Sequence, residues 1–166
     1  MTTRADNAHD HDHESDHGEC AGATLARAET ICSERGLRLT PLRRQVLEII
    51  CESSGAVGAY DILAQLAERG AHKAPPTVYR VLEFLLEARL IHRLDSLNAY
   101  IGCSAPGVAH TAQFLICQTC NSVQEMEDQQ VSQAIQAVLG QTAFSAEQVT
   151  LEVKGICGDC RQRARR

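Results

Sequence analysis

Two cysteine pairs, Cys117-x-x-Cys120 and Cys157-x-x-Cys160, stand in the C-terminal third of this 166-residue chain. Two thiolates separated by two residues in a turn chelate one metal ion, and two such turns complete a tetrahedral all-sulfur shell. That shell suits Zn2+ and is closed, which predicts a structural site with no open position for chemistry. The 36 residues between the pairs exceed the usual zinc-ribbon spacing and predict pairs at opposite ends of a small domain. The competing reading, a redox-active dithiol, requires one pair at a thioredoxin-like strand–helix start. Here two matched pairs are present and neither is so placed.

A second set, His92, Cys103, His110 and Glu125, is spread over residues 92–125. Two imidazoles, a thiolate and a carboxylate can also close a tetrahedron around zinc. Distributed over a hairpin, a connecting segment and a strand of a second unit, they meet only if the two halves of the chain take one mutual orientation. Binding free energy then becomes orientation free energy, which is how a sensor works. Taken singly, His92 reads as a surface wing residue, Cys103 as a buried thiol and Glu125 as a solvated acid, and spacing alone leaves both readings open. His9, His11, His13 and His17 alternate with acids in residues 1–20. They read either as a loose metal-collecting tail or as a solvated extension with no fixed geometry. Cys32 and Cys51 fall on apolar helix faces and are expected in a core, His72 is expected in a loop, and Cys20 has no assigned role.

The elements that must hold these groups follow from periodicity. Residues 1–22 lack apolar periodicity and are expected to be disordered. Over residues 24–35, Leu25, Ala28, Ile31 and Cys32 fall at helical spacing, with Gly36 as the stop. Thr40 and Pro41 are an N-cap and first-turn pair for a helix with Leu42, Val46, Leu47, Ile49 and Ile50 inward. After the loop SSGAVG, a third helix runs over residues 59–69 with Tyr60, Ile62, Leu63 and Leu66. Ala74-Pro75-Pro76-Thr77 opens a fourth, with Val78, Val81, Leu82, Leu85 and Leu86 inward. LIHRLD and AYIGC are predicted strands around Ser96-Leu97-Asn98. Three compact helices followed by a two-stranded hairpin is the pattern of a winged helix-turn-helix, whose last helix enters the major groove. Thr77, Tyr79 and Arg80 lie off its apolar stripe and can reach base edges or phosphates. A plain solvated helix face is the alternative.

After Ala105-Pro106-Gly107, residues 114–117 and 122–127 are predicted strands flanking the first cysteine turn. Residues 131–139 are a predicted helix ending at Gly140. Residues 148–156, with Val149, Leu151 and Val153 alternating, are a predicted strand, and RQRARR a frayed basic tail. The fold class is therefore mostly α with α+β. Residues 23–103 are expected to form a winged-helix DNA-binding domain, 104–112 a hinge, and 113–166 a small α/β dimerisation domain. So small a unit buries little by itself, and both a metal staple and a dimer partner are expected.

Composition bounds the function. At 44% apolar with 4% aromatic residues and no Trp, Leu, Ile, Val and Ala must supply the packing. No run nears the roughly 18 apolar residues of a membrane span, and the N-terminus is not signal-like. A cytoplasmic protein with reduced cysteines is expected. The net charge of −5 resides in residues 1–20, while the remaining 146 residues carry 15 basic and 15 acidic side chains. Any nucleic-acid contact therefore rests on a local patch. A Gly-rich phosphate loop, a nucleophile elbow and paired carboxylates on a rigid frame are all missing from the sequence, which argues against an enzyme.

The strings RGLRLTPLRRQVLEII, AYDIL and PPTVYRVLEFLLEARLIHRLDSLNAYIGC, with the two Cys-x-x-Cys pairs in the same order, resemble the ferric uptake regulator family over residues 24–160. Within it they are closest to the zinc uptake regulator branch. The resemblance implies a homodimeric, metal-dependent transcriptional repressor of double-stranded operator DNA, with two zinc ions per subunit. It implies Cys117, Cys120, Cys157 and Cys160 as ligands of a structural zinc, and His92, Cys103, His110 and Glu125 as ligands of a regulatory one. Tyr60 and Arg80 match positions that contact DNA in the family. The chain departs from the iron-sensing members, whose His-rich run of hard ligands at the hinge is missing here, while Cys103 supplies a soft ligand that favours zinc over iron(II). An iron(II)- or peroxide-sensing regulator on the same fold is the nearest rival expectation, and a zinc-storage or handover protein using the tail is a second.

Overall fold

Helix α1 (Asp16–Glu34) begins well before residue 24, where the apolar spacing starts. Helical hydrogen bonding needs no apolar face, and Glu19, Ala21 and Ala23 are good helix formers. The computed structural model describes residues 16–108 and 110–165, with side chains from residue 22 onward. His9, His11, His13 and the rest of residues 1–15, expected as a disordered tail, lie outside the described residues, as do the side chains of His17 and Cys20. α1 stops where expected. Gly36 takes φ +64°, and the Leu37 N–H returns to the Cys32 carbonyl at 2.8 Å, closing the helix end in the left-handed glycine motif.

Helix α2 (Pro41–Glu52) is started by Thr40, whose hydroxyl accepts from the Arg43 N–H, with Pro41 in the first turn; it buries Val46, Leu47, Ile49 and Ile50. Helices α3 (Ala59–Glu68) and α4 (Pro75–Glu87) pack on it. From α4, Val78, Val81, Leu82 and Leu85 are buried. Tyr60 is 72% exposed, because at the first turn of α3 the apolar face is carried by Ala59, Ile62 and Leu66. A three-stranded antiparallel sheet of order β1-β3-β2 completes this unit, with β1 (Val57–Gly58), β2 (Ile91–Leu94) and β3 (Ala99–Gly102). The loop SSGAVG thus ends in a short strand pairing Val57 with Tyr100, too brief to show an alternation. The expected winged helix is present, with one extra strand. Cys32 is buried in its core, and Cys51 is half-buried against it.

The C-terminal unit is a second sheet of order β5-β4-β6, formed by β4 (Ala112–Cys117), β5 (Val123–Met126) and β6 (Thr150–Gly155). β5 runs antiparallel to β4 and β6 parallel to it. Helix α5 (Gln129–Leu139) lies in the crossover that a parallel pair requires. The C-terminal RQRARR segment is not frayed throughout: Gly158–Arg163 forms α6, whose first turn is capped by the Cys157 thiol and whose last turn carries Arg161 and Arg163. Cations at a helix C-terminus face its partial negative charge. A small apolar cluster bridges the two units, with Leu94 of β2 packed among Ala112, Phe114 and Ile116 of β4.

Candidate metal centres

Cys117 ends β4, Cys120 closes the turn into β5, and Cys157 and Cys160 flank the start of α6. The second pair therefore does stand at a strand–helix start, contrary to the sequence expectation, and what separates it from a lone dithiol is that its sulfurs meet those of the first pair. The parallel β4–β6 pairing brings Cys117 level with Gly155, so two turns remote in sequence lie side by side. All four sulfurs fall within 4.8 Å of one another. A tetrahedron with zinc–sulfur bonds of about 2.3 Å has edges near ~3.8 Å, and Cys120 Sγ lies 3.8 Å from Cys157 Sγ. Backbone N–H groups point at the sulfurs. The Cys157 N–H donates to Cys117 Sγ at 3.3 Å, and the Cys160 N–H to Cys157 Sγ at 3.5 Å. The N–H of Cys157, with those of Cys120 and Thr119, pulls the Cys117 thiol down to about 6, favouring the thiolate that binds metal. The Ser122 hydroxyl lowers Cys120 similarly. Hydrogen bonding to Cys157 is the main cause that pushes Cys160 up to about 12. The donor set fits a thiophilic divalent cation in a closed shell.

The second set also meets. His92 lies on β2, Cys103 just after β3, His110 just before β4 and Glu125 on β5, and one donor atom of each falls within 4.8 Å of the others. Glu125 Oε1 is 3.5 Å from His92 Nε2 and 3.3 Å from His110 Nε2, and Cys103 Sγ is 3.8 Å from His110 Nε2. His92 Nε2 is buried without a hydrogen-bond partner, a cost that a bound cation would remove. Outer contacts aim the donors. The Val108 carbonyl, 3.0 Å from His110 Nδ1, can only accept, so Nδ1 carries the proton and Nε2 faces the cluster. The Ser104 N–H holds Glu125 Oε2 at 2.9 Å, leaving Oε1 inward. Burial, opposed in part by the Glu125 carboxylate, lowers His92 below its usual range. Burial and then the same carboxylate push Cys103 up to about 12. A neutral imidazole and a protonated thiol therefore wait in the metal-free set, and the donors fit zinc.

The connecting segment is fastened to the helical unit. Arg35, at the end of α1, donates to the Ala88 carbonyl at the end of α4 at 3.3 Å, and to the Gly107 carbonyl. Gly107 takes φ +81°, and a Cβ there would lie 2.9 Å from Ile31 Cδ1. Sequence reasoning missed these supports, because a backbone acceptor or a guanidinium aimed at two carbonyls leaves no spacing signal. Of the residues singled out for DNA, Thr77, Tyr79 and Arg80 are exposed on the first turns of α4, and Tyr60 is exposed at the start of α3.

Comparison with known proteins places the chain. It is 37% identical over 137 residues to the zinc uptake regulation protein of Escherichia coli (strain K12), covering 82% of this chain and 80% of that protein. The structure of a zinc uptake regulator complexed with zinc and DNA superposes with a TM-score of 0.82 at 35% identity, over 88% of this chain and 98% of that one. Holo XcZur, 40% identical over 84% of this chain and 98% of its own, gives 0.77, whereas its apo form, with 86% and 99% covered, gives 0.52. The profile of the ferric uptake regulator family matches residues 34–154, more than half of the sequence, and the chain belongs to that family.

Proposed function

We infer that the chain is a zinc-responsive transcriptional repressor, which binds operator DNA as a dimer when zinc occupies the hinge set and so represses zinc-uptake genes. The observation that carries the reading is the meeting of His92, Cys103, His110 and Glu125 from both units of the fold. Residues 23–103 act as the DNA-binding domain, 104–112 as the hinge and 113–166 as the dimerisation domain. His92 belongs to the sheet behind α4 and Cys103 follows its strand β3 directly, while Glu125 belongs to the sheet of the dimerisation domain. Holding these donors together holds the two domains in one orientation. Without that tie the domains hold this orientation less firmly, and the two α4 helices of a dimer keep less well the spacing of about 34–36 Å that fits successive turns of a palindromic operator. Thr77, Tyr79 and Arg80, with Tyr60, are the proposed DNA contacts.

Each subunit holds two zinc ions in this reading. Cys117, Cys120, Cys157 and Cys160 form a closed shell suited to a structural ion. The hinge set suits the regulatory one, and the Cys103 thiolate disfavours iron(II). Exposed apolar side chains on the C-terminal unit support the dimer. α5 buries none of its residues, and Val138, Phe144, Val153 and Ile156 are 64%, 70%, 47% and 56% exposed. Covering such side chains in a dimer would remove their apolar surface from water.

The reading is tested by fluorescence anisotropy on a palindromic duplex selected from a random-sequence pool, with free zinc, iron(II) or manganese buffered over a wide range. Binding is expected to switch on at very low free zinc. Equal activation by iron(II) or manganese would remove the zinc assignment, and binding indifferent to metal would remove the sensor. A second measurement follows from the protonation states. Because the Cys103 thiol is protonated until metal binds, while His92 is already neutral, hinge loading is expected to release about one proton near neutral pH. The apparent zinc affinity should then rise about tenfold per pH unit, and fall as pH falls. Calorimetry in buffers of different ionisation enthalpy reads that proton directly.

A further inference from the structure

We propose that Glu152 is a second tie between the two units, independent of metal, which positions the wing and acts together with the hinge donors. The proposal rests on the repressor reading above. Glu152 stands on β6, in the C-terminal unit. Its Oε1 accepts the Asp95 N–H at 2.8 Å and its Oε2 accepts the Ser96 N–H at 3.3 Å. Both donors belong to the turn joining β2 and β3, in the helical unit. A carboxylate taking two backbone N–H groups makes charge-assisted bonds, stronger than neutral ones, here in an exposed position where solvent weakens them. The nearby Asp95 carboxylate would oppose it, but Asp95 is paired with Arg93 Nε at 3.0 Å.

The sheet register links this clamp to the metal donors. Phe114 on the central strand β4 is paired with Glu125 on one side and with Glu152 on the other. Residues directly opposed on neighbouring strands project to the same face. Glu125, Phe114 and Glu152 therefore form one row across the sheet, facing the helical unit. At one end Glu125 joins the hinge donors. In the middle, Phe114 is fully buried, with its ring 5.5 Å from that of His92. At the other end Glu152 holds the wing turn. Leu94, immediately before that turn, is packed against Phe114 in the apolar cluster between the units.

Two ties on one hydrogen-bonded row orient the same pair of bodies. Forming either reduces the ordering that the other must impose, and thermodynamic linkage makes the effect reciprocal. Glu152 thus raises affinity for zinc at donors it does not touch, and affinity for DNA through a turn that lies outside α4.

The test compares wild type with Glu152→Ala and with the near-isosteric Glu152→Gln, which keeps one acceptor oxygen. Three quantities are read on dimers whose four-cysteine zinc is intact: amide hydrogen exchange of the metal-free protein, hinge zinc affinity by chelator competition, and anisotropy on the selected duplex at fixed free zinc. Glu152→Ala is expected to speed exchange at Asp95 and Ser96 while sparing β4. It is also expected to weaken hinge zinc and duplex binding about tenfold each, with Glu152→Gln between it and wild type. Wild-type exchange at Asp95 and Ser96 in Glu152→Ala, or hinge zinc affinity unchanged in both variants, would overturn the proposal. If the wild-type protein bound the duplex regardless of zinc, the repressor reading would fall alone. The exchange and zinc measurements would still decide the clamp.

Discussion

Replacing Cys103 by serine is expected to abolish zinc-dependent operator binding while leaving the fold and the four-cysteine site intact. Cys103 is 3% exposed and its N–H is held by the Leu90 carbonyl at 3.1 Å, so its position is fixed by backbone structure that serine leaves unchanged. Serine is close in size, but a hydroxyl does not ionise near neutral pH and gives a hard, weak donor where a soft thiolate stood. The remaining His92, His110 and Glu125 do not close a tetrahedron. Losing even an outer partner of a metal ligand costs 10–100-fold in affinity, so losing the ligand is expected to weaken hinge zinc by at least ~100-fold. At a free zinc concentration that saturates wild type, operator affinity should fall by a factor near ~100, the upper range of coupling between sites. Anisotropy on the selected duplex, with a metal count confirming one zinc per subunit, measures both halves. Zinc-responsive binding by Cys103→Ser would sink the assignment of the hinge set.

The four-cysteine shell should fail differently. Cys157→Ser is expected to unfold the C-terminal unit and release monomers, with α1–α4 still folded. The reason is how little else holds that unit. Its apolar core is Ala112, Phe114 and Ile116 of one strand, shared with Leu94 of the other unit, and α5 buries no residue. β6 reaches β4 only through a long crossover, whose closure entropy must be offset, and the cysteine turns lie at the ends of the two strands so joined. Cys157 also caps α6 through its own sulfur. In sites of this kind metal binding is itself the folding free energy. Gel filtration and far-UV circular dichroism, on the variant and on wild type stripped with a strong chelator, should both report loss of the dimer and of β-structure. A folded, zinc-free dimer would show that packing alone suffices.

The hinge set and the structural shell were legible to different depths. The two cysteine pairs declare themselves because chelation by a turn is local, and two residues between thiols state the bite. The helices of the first unit are equally local. Thr40-Pro41 starts α2, Gly36 stops α1, and the apolar stripe of α4 recurs every three or four residues. Elements shorter than their period leave no such signal: β1 holds two residues, and α6 follows a cysteine turn without an apolar stripe.

By itself, then, the sequence determined the winged-helix order of elements and the two cysteine turns, since each is written within a few consecutive residues, while the hinge donors, spread over residues 92–125, were only candidates. Tertiary structure alone decided what those donors do together. His92, Cys103, His110 and Glu125 converge only because β4 packs against Leu94 and pairs with β5, which sets one unit against the other. Glu152 reaches Asp95 and Ser96 only because β6 returns parallel to β4 in a register that puts Glu152 beside Phe114. No spacing in the chain encodes that register. It follows from the crossover through α5 and from the apolar contact between the two units, which arise only once both have folded.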